Sequence, residues 1–149
     1  MNCARHLGRK TTGSALPDVN PVYVGVYQAH IALARFDKPA ADRIMEELGE
    51  KYPDVFAFLF EDAQYYAGKC DYDKAIALYE HSFELEPRRP RFQDELMAIA
   101  DICEIWSDYR KAAETYDRII DLLENEWGLT EEVELQQAKR EKTRLLAKA

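Results

Sequence analysis

Apolar residues recur along this chain at helical spacing, and the pattern returns three times. Asp37-Lys38-Pro39-Ala40-Ala41, Asp71-Tyr72-Asp73-Lys74-Ala75 and Asp108-Tyr109-Arg110-Lys111-Ala112 each open on Asp and place Ala four residues later. A large side chain follows four residues after each Ala: Met45, Tyr79 and Tyr116. Residues four apart share a helix face. The alanines stand 34 and then 37 residues apart. A fixed period in this range marks a stacked array of helical hairpins. Such arrays build long shaped surfaces rather than deep reactive clefts.

The spacing predicts helices over 22–34, 38–51, 54–68, 72–86, 91–105 and 109–125. Turn residues separate them at Arg35-Phe36-Asp37, Tyr52-Pro53-Asp54, Gly68-Lys69-Cys70-Asp71, Glu86-Pro87-Arg88-Arg89-Pro90 and Trp106-Ser107-Asp108. Each Asp that opens a motif is placed to accept from the free N–H groups of a first helical turn. Pro39 falls where a missing N–H costs nothing. Gly68 is expected to end its helix in the left-handed conformation. A seventh helix follows Trp127-Gly128. Thr130 is its expected N-cap, with Glu131, Glu132 and Glu134 near its start. Lys139, Arg140, Lys142, Arg144 and Lys148 lie toward its end. Its sparse apolar residues, Val133, Leu135, Ala138, Leu145 and Leu146, suit a terminal cap with one face on the array.

The second copy reads Leu59-x2-Asp62-Ala63-x2-Tyr66, Ala75-x3-Tyr79, Pro87. It resembles the tetratricopeptide repeat, a helix–turn–helix unit of about 34 residues. The third copy, Leu96-x2-Ile99-Ala100-x2-Cys103 with Ala112-x3-Tyr116, is similar but has Glu124 in place of the usual Pro. The first reads Gly25-x2-Gln28-Ala29-x2-Ala32, Ala41-x3-Met45, Pro53, with small residues where its first helix should carry two large ones. The resemblance covers about residues 22–126. It implies an all-α fold, a right-handed α-solenoid of three stacked helix-turn-helix hairpins with a C-terminal capping helix. The expected organisation is a flexible basic leader over 1–20 and a repeat domain over 21–149. The repeats fall at about 22–55, 56–89 and 93–126, and the capping helix at about 130–148. Ala29, Ala63 and Ala100 permit close approach by the second helix of each pair, and Ala41, Ala75 and Ala112 face back across that contact. Tyr66, Cys103, Met45, Tyr79 and Tyr116 then fill the space between hairpins.

Composition narrows the function. The net charge is −8, and residues 1–20 carry Arg5, Arg9 and Lys10 against Asp18, so the remainder carries −10. An acidic body argues against nucleic-acid binding, which needs cationic surface. No stretch approaches 18 apolar residues, so no membrane span is expected. Cys3, Cys70 and Cys103 are odd in number and widely spaced, which fits a reducing cytoplasm better than a disulfide framework.

Candidate chemistry is thin. Gly8 to Ala15 has the glycine spacing of a phosphate loop but lacks the Lys and Ser/Thr that must follow the second glycine. Cys3-Ala4-Arg5-His6 has the spacing of half a metal site with no second half. His6, His30 and His81 are far apart, and His81 is expected on a solvated face. We expect no enzyme activity, cofactor or metal.

The family resemblance implies that the first helix of each hairpin lines a concave groove. The residues placed there are Tyr23, Val26, His30 and Leu33, then Phe60, Gln64 and Ala67, then Asp94, Met97, Asp101 and Glu104. The groove is expected to be apolar at one end and acidic at the other. A partner protein segment with apolar anchors and a basic residue would suit it. Phe60 and Met97 either reach that ligand or pack between hairpins. Family members that hold the carboxylate of chaperone tails do so with a clamp of Lys, Asn and Arg. Val26, His30, Phe60, Gln64, Met97 and Asp101 occupy those positions here and offer no cation, so such tails are not the expected ligand. Arg88, Arg89 and Arg91 form a basic knot, read as a solvated turn. Trp106 and Trp127 sit at hairpin ends, as packing residues or exposed anchors. Two other readings stay open. The chain can self-associate through Val24, Gly25, Val26 and Tyr27, or serve as a regulatory segment of a larger protein.

Overall fold

A computed structural model describes residues 16–85, 92–130 and 133–149. The Gly8–Ala15 loop, the Cys3/His6 pair, Pro87, the Arg88–Arg89–Arg91 knot, Glu131 and Glu132 lie outside the described residues. The fold is all-α, with no strand among the described residues. The helices are α1 (Leu16–Ala34), α2 (Lys38–Lys51), α3 (Phe56–Gly68), α4 (Tyr72–Leu85), α5 (Phe92–Ile105), α6 (Tyr109–Asp121) and α7 (Val133–Lys148). A π-helical turn over Leu122–Glu126 extends α6.

Five of the seven starts fall within a residue or two of expectation. α1 begins six residues before position 22, with Pro21 inside it. A proline there removes one N–H and leaves only the Pro17 carbonyl near the helix start without its donor, a loss the helix tolerates. The start of α7 lies against residues 131–132, so Thr130 as its cap falls at the edge of the described chain.

The repeat is written in the turns. Phe36, Cys70 and Ser107 have φ of 61, 61 and 62°. They are 34 and 37 residues apart, the same intervals as the alanines. Each is the left-handed residue of a Schellman turn. The N–H groups of Asp37, Asp71 and Asp108 donate back to the carbonyls of Ala32, Tyr66 and Cys103 at 2.8, 3.0 and 2.8 Å. Those of Phe36, Cys70 and Ser107 donate to Leu33, Ala67 and Glu104 at 2.9, 3.0 and 2.9 Å. The next helix then starts at once. The carboxylates of Asp37 and Asp108 accept from the N–H groups of Ala40 and Lys111, each at 3.2 Å. Gly68 does not take the left-handed position expected of it. It is the last residue of α3, and Cys70 makes the turn.

The chain divides into two compact units, one ending at Glu61 and one spanning Asp62–Ala149. In the first, α1 packs on α2. Ala29, Ala41, Met45 and Leu48 are buried. A Cβ on Gly25 would lie 2.7 Å from both methyl carbons of Leu48, so α2 supplies the bulk that α1 lacks at that position. In the second unit α4 packs on α5, α5 on α6 and α6 on α7. Ala63, Ala75, Ala100 and Ala112 are buried there, as are the large residues Tyr66, Tyr79, Cys103 and Tyr116. Burial of these small and large residues is what the spacing requires of core positions. The Ser82 hydroxyl donates to Glu95 at 3.2 Å, a buried polar link from α4 to α5.

α7 closes the second unit through Leu135, Ala138 and Leu145. Lys139 pairs with Glu124 and Lys142 with Asp117, each at 2.5 Å. No helix among the described residues is long and apolar enough to cross a membrane.

Candidate partner-binding site

Met97, Asp101 and Glu104 follow one another at four and three residues on α5, which sets them on one face. α6 brings Tyr116 and Ile119 alongside, α7 packs on α6, and Arg144 of α7 reaches Glu104 of α5. Met97, Tyr116, Ile119, Glu134, Gln137 and Ala138 line a partly open cavity of about 100 Å³. Its walls are chiefly apolar, and Glu134 and Gln137 supply the polar groups.

Carboxylates gather beside the cavity. The Arg144 guanidinium donates to both oxygens of Glu104 at 2.7 and 2.8 Å, and its Nε donates to Glu141 at 2.7 Å. Those bonds hold Glu104 below the usual carboxylate range and push Arg144 up. Asp101 is pushed the other way. Partial burial comes first, then the neighbouring charges of Glu104 and Glu141, with Arg144 opposing. Burial, then Asp101 and Glu141, push the Tyr116 phenol up to about 12. Tyr116 therefore links the cavity wall to the acidic cluster. Three carboxylates around one guanidinium leave the cluster negative.

The expected groove residues are distributed as follows. Tyr23, His30 and Leu33 are exposed on α1, Val26 is buried, and Phe60 is half-buried on α3. These belong to the first unit. In the second, Gln64 is exposed near the end of α3 and Ala67 is half-buried. Asp94 is half-buried on α5, one turn before Met97, and Met97, Asp101 and Glu104 form the cluster just described. His81, expected on a solvated face, is half-buried.

The positions compared with a carboxylate clamp hold no cation, yet α7 brings Arg144 against Glu104. Glu134, Gln137, Glu141 and Arg144 stand outside the expected groove, because a capping helix is expected to cover the array rather than to line a site. Their spacing is the available signal: three or four residues apart, they border the stripe of Leu135, Ala138 and Leu145.

Trp106 is half-exposed and meets Tyr72 edge-on, with ring centroids 5.3 Å apart. Asp62 is buried, and its Oδ1 accepts no hydrogen bond. Burial raises its pKa to about 6 against the pull of Lys74. The Lys74 ammonium sits 3.9 Å from the Tyr66 ring centre. Among the described residues no group of His, Cys, Asp and Glu is arranged to hold a metal ion. No family model matches the chain, and no curated protein matches it.

Proposed function

We propose that this chain is a tetratricopeptide-like interaction module without chemistry of its own, and that the Met97 cavity with its flanking carboxylates binds a segment of a partner protein. The observation that carries this reading is the pairing of an apolar cavity with a negative rim on one helix face. An aliphatic side chain of the partner enters the cavity. A void of about 150 Å³ admits benzene, so about 100 Å³ suits a branched aliphatic group or a methionine. Burying such a side chain contributes about 1.5–3 kcal/mol. A Lys or Arg on the same segment meets Asp101, Glu104 and Glu141, which sets register and excludes acidic ligands. The sequence repeat, the three equivalent Schellman turns and the capping helix support the family resemblance.

The test is selection from a displayed peptide library, followed by calorimetry of the enriched peptides. Enriched peptides should share an aliphatic residue and a nearby cation. Met97→Asp should abolish their binding. Gln137→Trp, which crowds the mouth of the cavity from an exposed position, should weaken it at least tenfold with helicity unchanged. Enriched peptides that bind the Gln137→Trp chain as tightly as the wild type would refute the site.

A further inference from the structure

α1 is apolar on both of its sides. Gly25, Val26 and Ala29 are buried, and Gly25 abuts Leu48 of α2. On the opposite side Tyr23, Val24, Tyr27 and Ile31 are 40, 47, 68 and 50% exposed. Tyr23, Tyr27 and Ile31 repeat every four residues and so form one stripe, with Val24 at its edge. From Val19 to Ala34 the helix carries no Asp, Glu, Lys or Arg. A helix that is hydrophobic all round is normally covered all round.

We propose that a second copy of this chain covers the stripe, with α1 lying antiparallel to α1 of the partner copy about a two-fold axis at Tyr27. Charge argues for this face. Two chains of net charge −8 repel wherever their acidic surfaces meet, and α1 offers an outer face free of formal charge. The stripe is also self-complementary, as a two-fold contact requires. Tyr27 meets its own counterpart, while Tyr23 and Ile31 each meet the other. Two tyrosine rings at the axis can stack offset or edge to face.

The area is sufficient and no more. With tyrosine offering roughly 200 Å², the four side chains expose about 350 Å² per copy. If apolar atoms form about two thirds of the contact, as in homodimers, the total is about 1,100 Å². That lies just under the range of standard interfaces and fits a dimer that dissociates at micromolar concentration. Gly25 and Val26, expected from the sequence to take part in self-association, are used within the hairpin instead. Val24 and Tyr27 remain available.

Sedimentation velocity on the full chain, from about 1 to about 500 µM, tests the proposal. The wild type should shift toward the mass of two chains as concentration rises. Tyr27→Glu sets two carboxylates against each other at the axis and should weaken the dimer at least tenfold. Tyr23→Glu and Ile31→Lys should each weaken it. The double variant should recover, because each new carboxylate then faces a new ammonium across the axis. All three positions are exposed, and far-UV circular dichroism checks that the variants stay helical. A monomer across the whole range would overturn the proposal, as would a dimer indifferent to Tyr27→Glu or a double variant no stronger than the single ones. A monomer that pellets with phosphatidylcholine vesicles would assign the stripe to a lipid surface and overturn it equally.

Discussion

The turn between α3 and α4 places glycine and the left-handed conformation two residues apart, which yields a test of opposite signs. Gly68 ends α3 with ordinary helical backbone, and a Cβ there would meet nothing within 4 Å. Gly68→Ala should therefore stabilise the protein by about 0.5–1 kcal/mol, mainly by restricting the unfolded chain. Cys70 has φ of 61°, a conformation costing an L-residue roughly 1–2 kcal/mol. Glycine relieves that cost but returns about 0.5–1 kcal/mol of unfolded-state freedom. Cys70→Gly should thus stabilise by about 0.5–1 kcal/mol. For a chain of this length each kcal/mol moves the thermal midpoint by about 2–4 °C. Thermal melts followed by far-UV circular dichroism in reducing buffer resolve such shifts. Had Gly68 carried the turn, alanine there would cost about 1 kcal/mol instead. A fall in midpoint for Gly68→Ala, or for Cys70→Gly, would refute the assignment of the turn. The same reasoning makes Phe36→Gly stabilising, since Phe36 is 96% exposed and has no packing to lose.

Three further outcomes follow from the packing and the charges. Gly25→Ala drives a methyl group into Leu48 at a cost of about 1–3 kcal/mol, of which the gain from replacing a helical glycine returns about 0.5–1, so urea unfolding should show a net loss of about 1–2 kcal/mol. Asp62 has a pKa of about 6 when folded against 3.8 unfolded. The folded state holds its proton more tightly, so this group's stabilisation is complete below about pH 4 and is lost as pH rises through 6. Asp62→Asn should match the wild type near pH 4 and exceed it at pH 7 by roughly 2–3 kcal/mol, and equal pH profiles would sink that account. Asp108→Ala removes the cap on the Lys111 N–H and should cost about 1 kcal/mol, with Asp108→Asn near neutral in the same melts.

The helices were legible because their signals are local. Asp37 and Asp108 cap as their positions require, and Ala41, Ala75 and Ala112 are buried where small residues must be. The turns were legible in place but not in conformation. Glycine was the natural choice for a left-handed residue, yet Phe, Cys and Ser hold that place in the three turns. Two back-bonds and an immediate helix start over-determine the backbone at each, whatever side chain it carries. The candidate site was half legible. Met97, Asp101 and Glu104 stand on one face of α5 by spacing alone, whereas Arg144 and Glu141 reach them from 40 and 37 residues beyond Glu104.

The sequence by itself determined that the chain is helical and repeated, and where each hairpin turns. Periodicity, caps and small-residue positions act within one or two turns of helix, so they can be read without the fold. Only the tertiary structure decided that Leu48 fills the space Gly25 leaves, that α7 completes the cavity under Met97, and that its arginine neutralises part of the acidic cluster. Each of these depends on which residues distant in the chain meet and at what separation. A one-dimensional pattern cannot state that, because burial, cavity volume and pairing of charge are properties of the packed neighbourhood.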